Sequence, residues 1–250
     1  MKIFKPFPVL LLILALFTLS SCAPSLYKTS SGDNLTISEP IVIDPVLDIF
    51  IQPYKDSLES QMNTVIGQTD SPILKSGTGE TPIGNLVADL QKEFVEEVLG
   101  YEIDISIMNN GGIRSTLPKG DITLGNIFEI SPFENYLYIL EMEGKDVRAL
   151  AAYAVKNRNL GINGMEIESL EGKIITLKVN GQEIDDSKTY LLALNDYIAN
   201  GGDGMEFAKN LSRKVESEYL IRDILIRQIR KKTEKAEIIK AVIEGRQKIN

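Results

Sequence analysis

The sequence predicts a mixed α/β domain, and three local patterns carry that reading. Residues 81–99 place Ile83, Leu86, Val87, Leu90, Phe94, Val95 and Val98 on one helical face, with Gly100 as a C-terminal stop. Residues 103–108 alternate apolar and polar side chains, the period of a half-buried strand. Asn180-Gly181 separates two β-rich runs, 173–179 and 182–184; both residues accept the positive φ that a two-residue hairpin turn needs. Helices and strands alternating around one core give an α/β or α+β layered domain.

The remaining elements follow in chain order. Residues 54–66 read as a first helix, ahead of the stronger one at 81–99. Residues 136–142 form a second strand, and 145–156 an alanine-rich helix. After the hairpin, 189–194 read as another strand. Residues 216–231 form a late helix that turns Leu220, Ile221, Ile224, Leu225 and Ile229 toward the core. A short strand is expected at 41–43.

The first 22 residues read as an export signal. Lys2 and Lys5 precede an apolar run over 8–19, and Ser20 and Ser21 precede Cys22. That run is shorter than the roughly 20 residues needed to span a bilayer. Leu19-Ser20-Ser21-Cys22 resembles the bacterial lipobox, in which the chain is cut before the cysteine and the cysteine is acylated. The resemblance implies an exported protein, held through lipid on Cys22 to a bacterial membrane and facing the periplasm or the cell exterior. Several acyl chains on one cysteine give stable anchoring where a single chain is marginal. The following stretch, up to Pro53, carries Ser, Gly, Asn and Pro without a helical period and reads as a tether.

Composition narrows the chemistry. The formal net charge is −8, and loss of Lys2 and Lys5 with the signal would make it −10. An acidic surface argues against a nucleic-acid polymer as partner, since the phosphate backbone is bound by basic patches. It leaves room for a small anion, which one arginine can hold. The 250 residues contain no histidine and a single cysteine. A Ser-His-Asp triad, a His-ligated zinc site, a cysteine-rich metal site and an intrachain disulfide are therefore all excluded.

Three loops at strand ends hold the candidate site residues. Asn109-Asn110-Gly111-Gly112-Ile113-Arg114 pairs two glycines, which let a ligand approach the backbone, with an arginine whose fork fits phosphate or carboxylate. The same pattern also fits a tight turn with a surface arginine. The run from Asn195 to Gly204 includes Tyr197, a candidate to lie against a base, and Asp203 within Gly201-Gly202-Asp203-Gly204. An aspartate there can accept two hydrogen bonds from a ribose diol. Ser131-Pro132-Phe133 is the third loop, where Pro132 sets a turn and Phe133 is either presented outward or packed in the core. Two aromatics, an arginine, an asparagine and an aspartate suit a nucleotide.

Four ordered motifs carry a family resemblance. Glu80-Thr81-Pro82-Ile83-Gly84-Asn85-Leu86-Val87-Ala88-Asp89, Asn109 to Ser115, Pro132-Phe133 and Asn200-Gly201-Gly202-Asp203-Gly204 occur in the order and spacing of the 5′-nucleotidase C-terminal domain. Glu244-Gly245-Arg246 resembles the end of that domain. The lipobox-like pattern makes residues 1–21 a lipoprotein signal peptide and composition makes 22–51 a tether, while the 5′-nucleotidase resemblance implies a nucleotide-binding domain over 52–250 with a four-layer α/β/β/α sandwich fold. It implies that Phe133 and Tyr197 sandwich the base, Asn109 contacts base or ribose, Arg114 takes the phosphate end and Asp203 the ribose hydroxyls.

The chain departs from the family pattern in places. Tyr197 and Met205 stand where many relatives have phenylalanine and an aromatic. Residues 76–79 are Ser, Gly, Thr and Gly where many have an arginine, and Lys75 is the nearest cation. Full-length relatives also carry a histidine- and aspartate-rich metallophosphoesterase domain with two metals. Without histidine, these 250 residues offer no such ligand set, so the chain alone is expected to be inactive. The two divalent metals are expected in a partner metallophosphoesterase polypeptide, which makes this chain the substrate-presenting half of a split 5′-nucleotidase in nucleotide catabolism. The alternatives are a stand-alone nucleotide-binding lipoprotein and a scaffold that binds no ligand.

Overall fold

A computed structural model describes residues 44–77 and 79–250. The export signal with Cys22, the strand expected at 41–43 and most of the tether lie outside the described residues. The chain divides into two units, Met1–Asp48 and Ile49–Asn250, and the described fold belongs to the second.

Helix α1 (Pro45–Met62) starts inside the expected tether, nine residues before the helix read from sequence. Pro45 suits a first helical position, where no amide partner is needed, and the Asp44 carboxylate accepts from the Val46 amide at 2.8 Å. Pro53 lies within this helix, and none of its residues is buried. The expected helix does not continue to residue 66, because Val65–Thr69 is strand β1, paired antiparallel with β3 (Gly120–Thr123).

Helix α2 (Pro82–Phe94) confirms the clearest helical pattern. Thr81 caps it by accepting from the Gly84 amide at 3.0 Å, and Pro82 occupies the first turn. The helix runs into a π-turn over Val95–Leu99 and stops at Gly100, whose φ of 72° is left-handed. Helix α3 (Leu124–Ile130) follows β3 directly, capped by Thr123.

The large sheet has five strands in the order β10-β4-β9-β2-β5. These are β2 (Ile105–Asn109), β4 (Tyr136–Met142), β5 (Leu160–Asn163), β9 (Tyr190–Asn195) and β10 (Ser212–Leu220). β2 and β9 are parallel neighbours; the other pairings are antiparallel. A second sheet orders β11 (Gln247–Ile249), β6 (Met165–Leu170), β7 (Lys173–Val179) and β8 (Gln182–Glu183). The expected hairpin joins β7 to β8, with Asn180 and Gly181 at φ 49° and 76°.

Strand alternation divides the core between the two faces of the large sheet. Leu137 and Ile139 of β4 and Ala193 of β9 face a cluster built with α2, α3 and helix α6 (Ile221–Glu234). Leu140, Met142, Leu192 and Leu194 face a second cluster with helix α4 (Gly144–Asn157), β6 and β7. The mixed α/β class is thus present, with α4 touching both sheets. The late helix begins at Ile221 rather than at 216: residues 212–220 instead form an edge strand on β4, in which only one face is half-buried.

Candidate nucleotide-binding cleft

The parallel pair β2–β9 places the candidate residues. In mixed α/β sheets ligands gather beyond the carboxyl ends of parallel strands, and here β2 ends at Asn109 and β9 at Asn195. The two side chains meet there, Asn195 Nδ2 donating to Asn109 Oδ1 at 3.0 Å. Asn195 Oδ1 in turn accepts from the Ile198 amide at 2.8 Å, which caps the one-turn helix α5 (Asp196–Ala199) that carries Tyr197. Leu137 of β4 pairs with Asn195, so the Phe133 loop enters at the same end of the sheet.

A cleft of about 420 Å³ opens at this end, a size suited to a small organic ligand. All five sequence-derived site residues, Asn109, Arg114, Phe133, Tyr197 and Asp203, line it. Phe133 is 48% exposed and Tyr197 47%, so both rings are presented outward rather than packed in the core. Arg114 is exposed; its Nη1 donates to the Gly111 carbonyl at 3.2 Å, while its amide donates to the Ile130 carbonyl at 2.8 Å. It is the only lysine or arginine among the residues lining the cleft.

Asp203 is the hub. Gly201 and Gly204 flank it at φ 85° and 80°, and Asp203 itself adopts φ 52°, a left-handed turn that aspartate tolerates. Its Oδ2 accepts from Asn109 Nδ2 at 2.7 Å and its Oδ1 from the Tyr197 hydroxyl at 3.0 Å. The Asp203 carbonyl accepts from Tyr153 at 2.9 Å. Burial pushes the Tyr153 phenol above its usual range, against the opposing hydrogen bond from Asn159. A carboxylate has about four acceptor positions. Asp203 is exposed, and two engaged donors leave acceptor capacity toward the cleft.

The tyrosine that replaces the expected phenylalanine therefore has a second function. Its ring rests on Gly202, where any Cβ would overlap the ring carbons, and its hydroxyl ties the ring to Asp203. Met205 is fully buried in the second core cluster and is no part of the cleft. Glu80 is also buried, accepting from Asn85 Nδ2 at 2.7 Å and the Glu244 amide at 2.8 Å. The first and last family motifs thus join the C-terminal segment to α2. Lys75 does not line the cleft.

Sequence reading missed Asn135, which lines the cleft beside Phe133, and Asn195, which orders Asn109 from behind. It also missed Arg222 of α6. This buried guanidinium lies 4.3 Å from the Phe128 ring and reaches the Ser131 and Pro132 carbonyls at 3.4 Å, under the Phe133 loop. The partners of Asn135 and Arg222 are distant in the chain, and the local cap that Asn195 makes with Ile198 does not reveal its bond to Asn109. Among the described residues no group of three or more His, Cys, Asp or Glu side chains is placed to hold a metal ion. The described residues therefore do not fit a two-metal hydrolytic site.

Comparison with known proteins gives these features a family. The model of the 5′-nucleotidase C-terminal domain matches residues 65–210. The trifunctional nucleotide phosphoesterase protein YfkN of Bacillus subtilis is 30% identical over 232 residues, covering 85% of this chain and 16% of that protein. Protein UshA of Escherichia coli is 27% identical, covering 72% of this chain and 34% of its own length. The crystal structure of a 5′-nucleotidase precursor from Thermus thermophilus superimposes with a TM-score of 0.69 at 24% identity, covering 81% of this chain and 43% of that one. This chain spans less than half the length of each of them. The match extends over most of the described fold and includes four of the motifs at the cleft and beneath it; the chain belongs to the 5′-nucleotidase C-terminal domain family.

Proposed function

We propose that this chain is the nucleotide- or nucleoside-binding half of a split 5′-nucleotidase, presenting its substrate to a separate metallophosphoesterase polypeptide. The observation that carries the reading is the cleft, where two outward-facing rings share one opening with an arginine and an aspartate. In this reading the base stacks between Phe133 and Tyr197, the ribose diol donates to Asp203, Asn109 holds that carboxylate beside the ribose, and Arg114 receives the phosphate. Names of relatives such as the nucleotide phosphoesterase YfkN support a nucleotide as ligand.

Hydrolysis would come from the partner. In two-metal hydrolysis fixed ligands hold the ions that stabilise the attacking and leaving oxygens, and these 250 residues include no histidine to serve as one. Orienting a nucleotide without a nucleophile gives no turnover. A steady-state phosphate-release assay on AMP tests this. The chain alone should release no phosphate with any divalent metal, and a histidine-rich metallophosphoesterase from the same organism should restore hydrolysis. Arg114→Ala should then lower kcat/KM, mainly through KM. Turnover by this chain alone would overturn the split-enzyme reading; no gain on mixing would favour a stand-alone binding protein.

The same proposal places the chain at a bacterial membrane, facing the periplasm or the cell exterior, through lipid on Cys22. It rests on the lipobox-like Leu19-Ser20-Ser21-Cys22. Among the described residues no helix is long and apolar enough to cross a membrane. Labelled palmitate should enter the wild type and not Cys22→Ser; an unlabelled wild type contradicts the anchor.

A further inference from the structure

We propose that Asp196 is a positioning residue that staples the two ring-bearing loops together and so sets the gap into which a base slides. This deepens the nucleotide-binding reading of the cleft and rests on it. Phe133 and Tyr197 belong to loops more than sixty positions apart, and neither ring has the other in contact to define its place. A stacking slot works only at one width, because dispersion falls away steeply with a gap of even roughly 0.5–1 Å.

One carboxylate oxygen bridges the loops. Asp196 Oδ1 accepts from Asn135 Nδ2 at 3.0 Å and from the Tyr136 amide at 3.1 Å, both just after Phe133. It also accepts from the Tyr197 amide at 2.8 Å. The β4–β9 ladder, whose last pair is Leu137 and Asn195, brings the two loops to one sheet end, and the side-chain and loop ties on the Phe133 loop other than Asp196 lead elsewhere. Ile130 O accepts from the Arg114 amide, Ser131 O and Pro132 O from Arg222, and Asn135 O from the Ile221 amide. Those bonds fix the loop to α6 and to the β2 loop, whereas Asp196 fixes it to the element that carries the second ring. Asp196 is half-buried and has no ion-pair partner among the described residues, so its charge is directed at these three donors. Asp196 does not line the cleft, and its effect on a ligand passes through the two rings.

The test compares wild type, Asp196→Ala and Asp196→Asn, the last of which keeps an acceptor oxygen. Amide exchange is followed by NMR without ligand, and adenosine binding by calorimetry. In Asp196→Ala the Tyr136 and Tyr197 amides should exchange about tenfold faster, and adenosine affinity should fall about tenfold, as loss of one stacking contact would give. Core amides of β9 should keep their protection. Asp196→Asn should restore most of both. Unchanged exchange at Tyr136 and Tyr197 in Asp196→Ala overturns the proposal, as does faster exchange throughout the domain or an affinity loss that Asn does not rescue. A wild type that binds no adenosine would instead sink the nucleotide-binding reading, while the exchange data still decide whether Asp196 joins the loops.

Discussion

Asp203 and Tyr197 show how much one hydroxyl changes at the residue scale. A phenylalanine at 197 would stack but leave Asp203 Oδ1 without its donor; the tyrosine does both, with its ring resting on Gly202 and its hydroxyl on the carboxylate. The stacking term is the larger of the two, on the order of 1–3 kcal/mol per ring–base contact. The Tyr197 hydroxyl bond is exposed, where screening reduces it to about 1 kcal/mol or less. Tyr197→Ala and Phe133→Ala should each weaken nucleoside binding roughly tenfold or more, while Tyr197→Phe should change it less than about threefold. Calorimetric titration of adenosine separates these outcomes, and equal losses for Phe and Ala at 197 would show that stacking is not the source of affinity. The five candidate residues, which line one cleft, could be picked out in the sequence because each sits in a compact motif of glycine, proline and asparagine. Asn135, Asp196 and Arg222 could not, because a hydrogen bond between residues sixty or ninety positions apart leaves no periodic trace.

At the scale of elements, legibility followed the strength of the buried stripe. Helix α2 combines a Thr81 cap, Pro82 and a long apolar face, and sequence located both of its ends. Strand β1 went unread, with Val65 and Ile66 falling at the end of the expected helix, because five residues with Gly67 in the middle carry too short a period to identify. Strand β3 buries only Ile122 and shows no period at all. Strand β10 is an edge strand with one half-buried face, so its polar residues read as the start of the following helix. Helix α2 packs closely against β5, the sheet neighbour of β2. Gly84 and Gly161 bring the two backbones so close that a Cβ at 161 would overlap the Gly84 backbone. Gly161→Ala must push the helix away from the sheet and should cost about 1–3 kcal/mol. For a domain of this size that is a fall in Tm of very roughly 2–12 °C, read by thermal unfolding; an unchanged Tm would mean the contact relaxes without loss.

For the whole molecule, the C-terminal segment closes the domain over its first motif. Arg246 forks onto Asp89 at 2.6 and 2.9 Å and the buried Glu80 accepts from the Glu244 amide, so residues at opposite ends of the fold are held together. Burial opposes the charge of Arg246, but the hydrogen bond and field of Asp89 outweigh it and hold the guanidinium above its usual value. Ties of this kind brace the fold around the cleft, and a slot between two loops discriminates only when its walls do not drift. The central claim is that the nucleotide occupies that slot, and a crystal structure of this chain with AMP tests it most directly. The account predicts the base between Phe133 and Tyr197, the ribose hydroxyls on Asp203 and the phosphate toward Arg114. AMP bound away from the two rings, or a cleft that stays empty at saturating AMP, would contradict it.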